Sequence, residues 1–283
     1  MKLHILSDLH VEFVPHPAHP QAAQAADVVV LAGDIHTGTE GIKWARKSFP
    51  DKPVVYVAGN HEFYGHHWDD LLDQLREEAH AQEVHFLESD TVTIDGVRFL
   101  GATFWTDYDY FGRSDRKKNM RAAEMGLNDF LRIKAKTIQP QEIAVVLGDA
   151  SAALRPVRWS RKLTAVHTLA RHQASLAWLK DELPKGDPEK TVVVTHHYPN
   201  RNSCAPSYAN DPLTAIFGSH VDTRVMLGAK LWIHGHTHGS CNYRIGDSKR
   251  AVRVICNPRG YPIARYENEF ENRLFQPGLV EEI

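Results

Sequence analysis

Five short stretches place metal-liganding side chains directly after apolar runs: Asp8-Leu9-His10, Gly33-Asp34, Gly59-Asn60-His61, Thr195-His196-His197 and Gly235-His236-Thr237-His238. In the first and last, spacing of i and i+2 on an extended segment aims both side chains the same way. Gly33 and Gly59 stand where the backbone must turn sharply after a strand. Each stretch alone has an ordinary explanation: a helix N-cap for Asp8 or Asp34, a turn for Asn60, a hydrogen-bonded strand end for His236. Their recurrence at equivalent places marks a candidate site.

Asp8, His10, Asp34, Asn60, His196, His236 and His238 offer more donors than the about four a zinc-like ion takes. Two ions sharing one carboxylate would use them all, and ions held roughly 3.5–4 Å apart serve in-line displacement at phosphorus. A His, carboxylate and amide set without thiolate suits Mn, Fe, Zn, Co or Ni, fits Ca and Mg poorly and does not suit Cu(I). Two divalent ions bring about +4, Asp8 and Asp34 about −2 and a bridging hydroxide about −1, leaving roughly +1 to attract a phosphate anion.

Such donors need a common rim. The runs over 2–10, 27–36, 53–62, 190–197 and 230–238 are short and β-branched, which reads as strands buried on both faces. Helical spacing falls between them. After Trp68 come Leu71, Leu72, Leu75 and Ala79, and 160–183 repeats the pattern through Leu163, Val166, Leu169, Leu176, Leu179 and Leu183. Hairpins are predicted over 91–105, turning at Asp95-Gly96, and over 241–257, turning around Gly246-Asp247. The chain is therefore α/β with mixed sheets, its polar strand ends gathered at one edge. His234, deeper in its strand, is expected to pack or hydrogen-bond beneath His236 and His238. Residues 106–160 are the least legible. Gly148-Asp149 there reads as a turn, and Arg113, Arg116, Lys117, Lys118 and Arg121, interrupted by Asp115, as a solvated helix face.

With 283 residues and a net charge of −2, the chain is expected to form one domain over 1–283. Near-neutral charge argues against gripping nucleic acid or an anionic membrane, and no apolar run reaches the roughly 18 residues of a span. The N-terminal apolar stretch is too short for a signal peptide, so the expected setting is the cytoplasm. Cys204, Cys241 and Cys256 have no CxxC spacing, which disfavours a disulfide framework or a Cys-zinc site.

The ordered set D-x-H, G-D, G-N-H-E, a strand-end His and G-H-x-H resembles the calcineurin-like metallophosphoesterase superfamily. "GATFWTDY" (101–108), "NDFLRIK" (128–134), "THHYP" (195–199) and "NPRGY" (257–261) look like a bacterial subgroup of predicted phosphohydrolases. The resemblance implies a four-layer α/β/β/α sandwich with two mixed β-sheets. It implies one ion on Asp8, His10, Asp34 and His238 and another on Asp34, Asn60, His196 and His236, with Mn, Fe or Zn foremost. His61 matches the family's non-ligand histidine, which contacts the phosphate and protonates the leaving group. The implied reaction is cleavage of a phosphodiester or phosphomonoester of a small molecule or nucleotide by a metal-bridging hydroxide.

Glu62 is a candidate to orient His61. The expected substrate contacts are Asn60, His61, Trp105, His197 and Arg201, within a rim that also includes His36, Tyr64, Tyr198, Asn200 and Arg259, against competing readings of core packing for Trp105 and a solvated face for the arginines. "GDIHTGTE" departs from the G-D-x-V-D-R-G of Ser/Thr protein phosphatases. Two alternatives compete: a non-catalytic scaffold, which should show eroded ligands, and a nuclease, which should show a basic groove. No membrane or protein partner is inferred.

Overall fold

The structure is a computed structural model and describes residues 1–154, 161–263 and 269–283. Its strands are β1 (Lys2–Leu6), β2 (Val28–Ala32), β3 (Val54–Val57), β4 (His85–Phe86), β5 (Asp90–Ile94), β6 (Val97–Ala102), β7 (Thr191–Thr195), β8 (Leu231–His234), β9 (Cys241–Gly246), β10 (Ala251–Cys256) and β11 (Val280–Glu282). One sheet has the order β11-β1-β2-β3-β4, parallel except for β11. The other has the order β5-β6-β7-β8-β10-β9, parallel in its four middle strands and antiparallel at both edges.

Side chains alternate across a strand, so each continuous apolar run feeds two cores. Leu3, Ile5, Val28, Val30, Val55, Val57, Val192, Val194 and Ile233 fill the space between the sheets. The alternate residues Leu6, Val29, Leu31, Val54 and Tyr56 face helices α1 (Glu40–Ser48) and α2 (Trp68–Ala81) through Ile42, Leu71, Leu72 and Leu75. On the far side, Leu100, Val193, Trp232 and Val254 pack with Leu179 and Leu183 at the end of a later helix. Helix, sheet, sheet and helix thus stack in four layers, as the resemblance implied. Each fully buried Val, Leu or Ile contributes about 1.5–3 kcal/mol, so one charged residue in the intersheet core would undo several such contacts.

The hairpins fall where the turn residues set them. Asp95 and Gly96 have φ of 45° and 80°, both positive as a two-residue primed turn requires, and Ile94 pairs with Val97. The helix foreseen over 160–183 runs from Ala165 to Glu182, opened by a capping box of Thr164 and His167. Lys162, before it, makes an isolated antiparallel bridge to Lys134, and residues 155–160 lie outside those described. The 106–154 stretch is helical where it is regular, at Arg116–Gly126, Asp129–Arg132 and Pro140–Leu147. Gly148 closes the last with φ 63°, so Gly148-Asp149 is a turn. The basic cluster is a solvated face, with Arg116 paired to Asp109 and Lys117 to Asp149. No described helix is long and apolar enough to cross a membrane.

Candidate metal centre

The parallel strands all deliver their C-terminal ends to one edge, and there the chain leaves regular structure. β1 ends at Leu6, short of the 2–10 run, because Asp8 and His10 have left-handed backbones with φ of 49° and 45°. Asp34, His236 and His238 do the same at 55°, 70° and 48°. Such conformations cost of order 1–3 kcal/mol each and cluster at functional sites. Five of the seven candidate donors share them. Packing is as tight: a Cβ on Gly59 would lie 2.1 Å from Asp34 Oδ1, and one on Gly33 would lie 2.4 Å from His196 Nδ1.

All seven donors converge. Ligand atoms of Asp8, His10 and His238 lie within 4.8 Å of one another, as do those of Asp34, His196 and His236, while His10 and Asp34 also group with His61. His10 Nε2 is 3.1 Å from His238 Nε2, His238 Nε2 is 3.5 Å from Asp8 Oδ1, and His196 Nε2 is 3.1 Å from Asn60 Oδ1. Asp34 joins the two groups, its Oδ2 lying 3.9 Å from His10 Nε2 and 3.4 Å from His196 Nε2. Its Oδ1 accepts from the His61 backbone N–H at 2.8 Å, and Asp8 accepts from the His236 N–H.

Three of the imidazoles are tied from behind. Nδ1–H donates to Glu12 Oε1 from His10 (3.3 Å), to Ala32 O from His196 (2.9 Å) and to Glu271 Oε2 from His238 (2.5 Å). A histidine that gives its Nδ1 proton to an oxygen turns an Nε2 lone pair to the opposite side, the arrangement that a metal ligand needs. His236 Nε2 is buried with no hydrogen-bond partner, and an orphaned buried nitrogen costs about 1–3 kcal/mol unless something binds it. The donor set therefore fits divalent transition-metal ions.

Charges are tightly coupled. Burial opposes protonation of His196, yet Asp34 and Asp8 raise it to about 9, and Asp8 with Glu271 raises His238 to about 10 in the same way. Burial drives His236 well down, helped by His197 and His196. A bound cation would replace protons here, so metal binding and acidity compete.

His61 stands beside these groups, 3% exposed. Its Nδ1–H donates to Glu12 Oε1 at 3.0 Å, and Tyr261 OH shares a 2.6 Å hydrogen bond with Nε2. Burial opposes charge on Glu12, but His10 and His61 outweigh it and bring its pKa to about 2. Glu12, not Glu62, orients His61. The Glu62 carboxylate turns inward and accepts from the Asp34, Ile35 and Gly59 N–H groups and from Tyr56 OH, which pins the two loops carrying Asp34 and Asn60.

The expected rim is corrected at several places. Trp105 is 2% exposed and packed on Trp68 and His197 at centroid distances of 4.6 and 5.0 Å, leaving no face for a ligand. His197 is likewise buried, its ring 4.2 Å from that of His236 and its Nδ1–H given to Thr103 O, so it backs a donor instead of meeting substrate. Tyr198 is buried and donates to Thr214 O. Arg259 is spent on the Leu9, Val14 and Pro15 carbonyls, clamping the loop that carries Glu12. Asn200 accepts from Asn202 N–H in a turn. Arg201 remains exposed, over the Tyr110 ring, and His36 is half-buried. Tyr64 does stand at the centre, 4.3 Å from the His61 ring. His234 lies beneath, bonded through Nε2 to Ser203 Oγ at 2.8 Å, as its depth in the strand suggested.

Four supporting residues escaped the sequence reading. Glu12 continues the alternation of Asp8 and His10, a signal that spacing carried. Tyr261 lies in the quoted "NPRGY" and Asp129 in "NDFLRIK", both without an assigned role. Glu271 has no local signal; only the tertiary fold brings it to His238.

Fold and site together define a two-sheet α/β protein with a buried, shared-carboxylate donor cluster at its strand ends. The calcineurin-like phosphoesterase family matches residues 1–240, and the chain belongs to that family. Among solved structures, a phosphopantetheinyl hydrolase from Mycobacterium tuberculosis is similar at TM-score 0.62 and 20% identity, over 92% of this chain and 90% of that one. A dimetal phosphatase from Danio rerio aligns at TM-score 0.44 and 15% identity, over 90% of this chain and 86% of that one. The first likeness bears on the fold alone. No curated protein matches the chain.

Proposed function

We propose that the protein is a metal-dependent phosphohydrolase acting in the cytoplasm on a phosphodiester or phosphomonoester of a small molecule or nucleotide. Asp8, His10, Asp34 and His238 would hold one divalent ion of the Mn, Fe or Zn kind, with Co or Ni also suited. Asp34, Asn60, His196 and His236 would hold the other. The observation that carries this is the convergence of tied imidazoles and the unpartnered His236 Nε2 on Asp34, within a family of phosphoesterases.

When bound, such ions supply Lewis acidity toward phosphoryl oxygens and lower the pKa of a water nucleophile. The chain does the rest. Asp34 is fixed through Oδ1 by the His61 N–H, which leaves Oδ2 to face both donor groups. Glu12 holds one His61 proton at Nδ1, so the second proton of an imidazolium would sit at Nε2, the atom positioned to protonate a leaving oxygen. Tyr261 OH holds that nitrogen in line until substrate arrives.

Metal analysis of the purified protein and assay against aryl and alkyl phosphoesters test the reading. Close to two transition-metal ions per chain and chelator-sensitive cleavage are expected. Two ions without turnover on any phosphoester would leave a binding scaffold, and salt-steep cleavage of polynucleotides would leave a nuclease.

A further inference from the structure

We infer that Asp129 positions Asn60 for cation binding by fixing which end of its amide faces the centre. This rests on the proposed two-cation site and adds to it a residue outside the donor set. An asparagine side chain presents a carbonyl oxygen or an NH2 group depending on a half-turn of the amide, and only the oxygen can ligate a cation. Asn60 Nδ2 lies 2.9 Å from Asp129 Oδ1, while Asn60 Oδ1 lies 3.1 Å from His196 Nε2. Tyr64 OH donates to the same Asp129 oxygen at 2.7 Å. With two donors converging on it, that oxygen accepts whether or not its twin carries a proton. The amide nitrogen is therefore held on the Asp129 side, and the oxygen turns toward His196 and Asp34.

Asp129 is 4% exposed, and its place is set by backbone bonds and not by Asn60. Gly65 N–H donates to Arg132 O, Lys134 N–H to His66 O and Trp68 N–H to Lys134 O. These stitch the turn after Asn60 to the short helix that Asp129 opens. The stretch whose role the sequence left blank thus supplies the group that orients one proposed ligand. Outer partners of ligands are worth about 10–100-fold in metal affinity.

Calorimetric titration of the metal-free full chain with Mn²⁺ tests this, with thermal midpoints as a check on folding. Wild type should take two ions. Asp129→Asn, nearly the same shape but able to pair with either end of the Asn60 amide, should bind one ion as before and the other about 10–100-fold more weakly. Asn60→Ala should weaken the same ion, and the double variant should be no weaker than Asn60→Ala alone, because the two changes remove one interaction. Undiminished affinity in Asp129→Asn, additive losses in the double variant, or an Asp129→Asn chain that does not fold would each overturn the inference. A wild type that takes fewer than two ions would overturn the centre itself, and this inference with it.

Discussion

Gly59→Ala is the smallest change that should dismantle the centre. A Cβ built there falls 2.1 Å from Asp34 Oδ1, 2.7 Å from Asp34 N and 2.7 Å from His196 Cε1, where ordinary contact begins at 3.4 Å. The carboxylate must retreat by about 1 Å, since the neighbours behind it are the immobile Asp34 backbone and a buried ring. That movement breaks the 2.8 Å bond from the His61 N–H and carries Oδ2 away from His10 and His196 together. Overpacking of this kind costs about 1–3 kcal/mol. At about 2–4 °C per kcal/mol for a domain of a few hundred residues, the metal-free midpoint should fall by roughly 2–12 °C. Bound Mn²⁺ should drop from two ions to fewer than one, read by equilibrium dialysis beside a thermal scan. A variant that keeps both ions and the native midpoint would refute the placement of Asp34 against Gly59.

Asp34→Asn keeps the left-handed backbone, which Asn tolerates, and should weaken both ions at once in the same dialysis. His61→Ala should leave metal content nearly unchanged and slow turnover about 10²–10⁴-fold, most for alkyl leaving groups; equal rates on aryl and alkyl esters in wild type and variant would remove His61 from proton transfer. His16 lies away from the donors, and burial, with Arg259 nearby, lowers its pKa to about 4. The unfolded chain then binds the extra proton first, so this group's contribution is present above about pH 6.5 and lost as pH falls toward 4, up to about 3 kcal/mol. In chelator, urea midpoints of His16→Asn should change less than those of wild type between pH 7 and pH 5.

The donors were legible because ligand chemistry needs particular side chains at strand ends, and strand ends announce themselves by apolar runs that stop. The reading of strands buried on both faces is met at β1, with Leu3 and Ile5 in one core and Leu6 in another. Trp105 takes the core place that competed with its rim reading, while His197 and Arg259 depart from the rim because type and nearness in sequence say nothing of which way a side chain turns, and both turn inward. The left-handed backbones of Asp8 and His10 were equally invisible, since no glycine marks them. Asp129 and Glu271 reach the site only through tertiary contacts, so no local pattern could reveal them.

The pairing of Lys2 with Glu282 joins residues almost a full chain length apart, and Glu271 reaches His238 from the same closing segment. Contacts of such long range must repay the chain entropy of closing a long loop. Residues 1–240 carry all seven candidate donors, and Glu271, outside that span, braces His238. Completion of the candidate centre is thereby coupled to docking of the 269–283 segment beside β1 and His238.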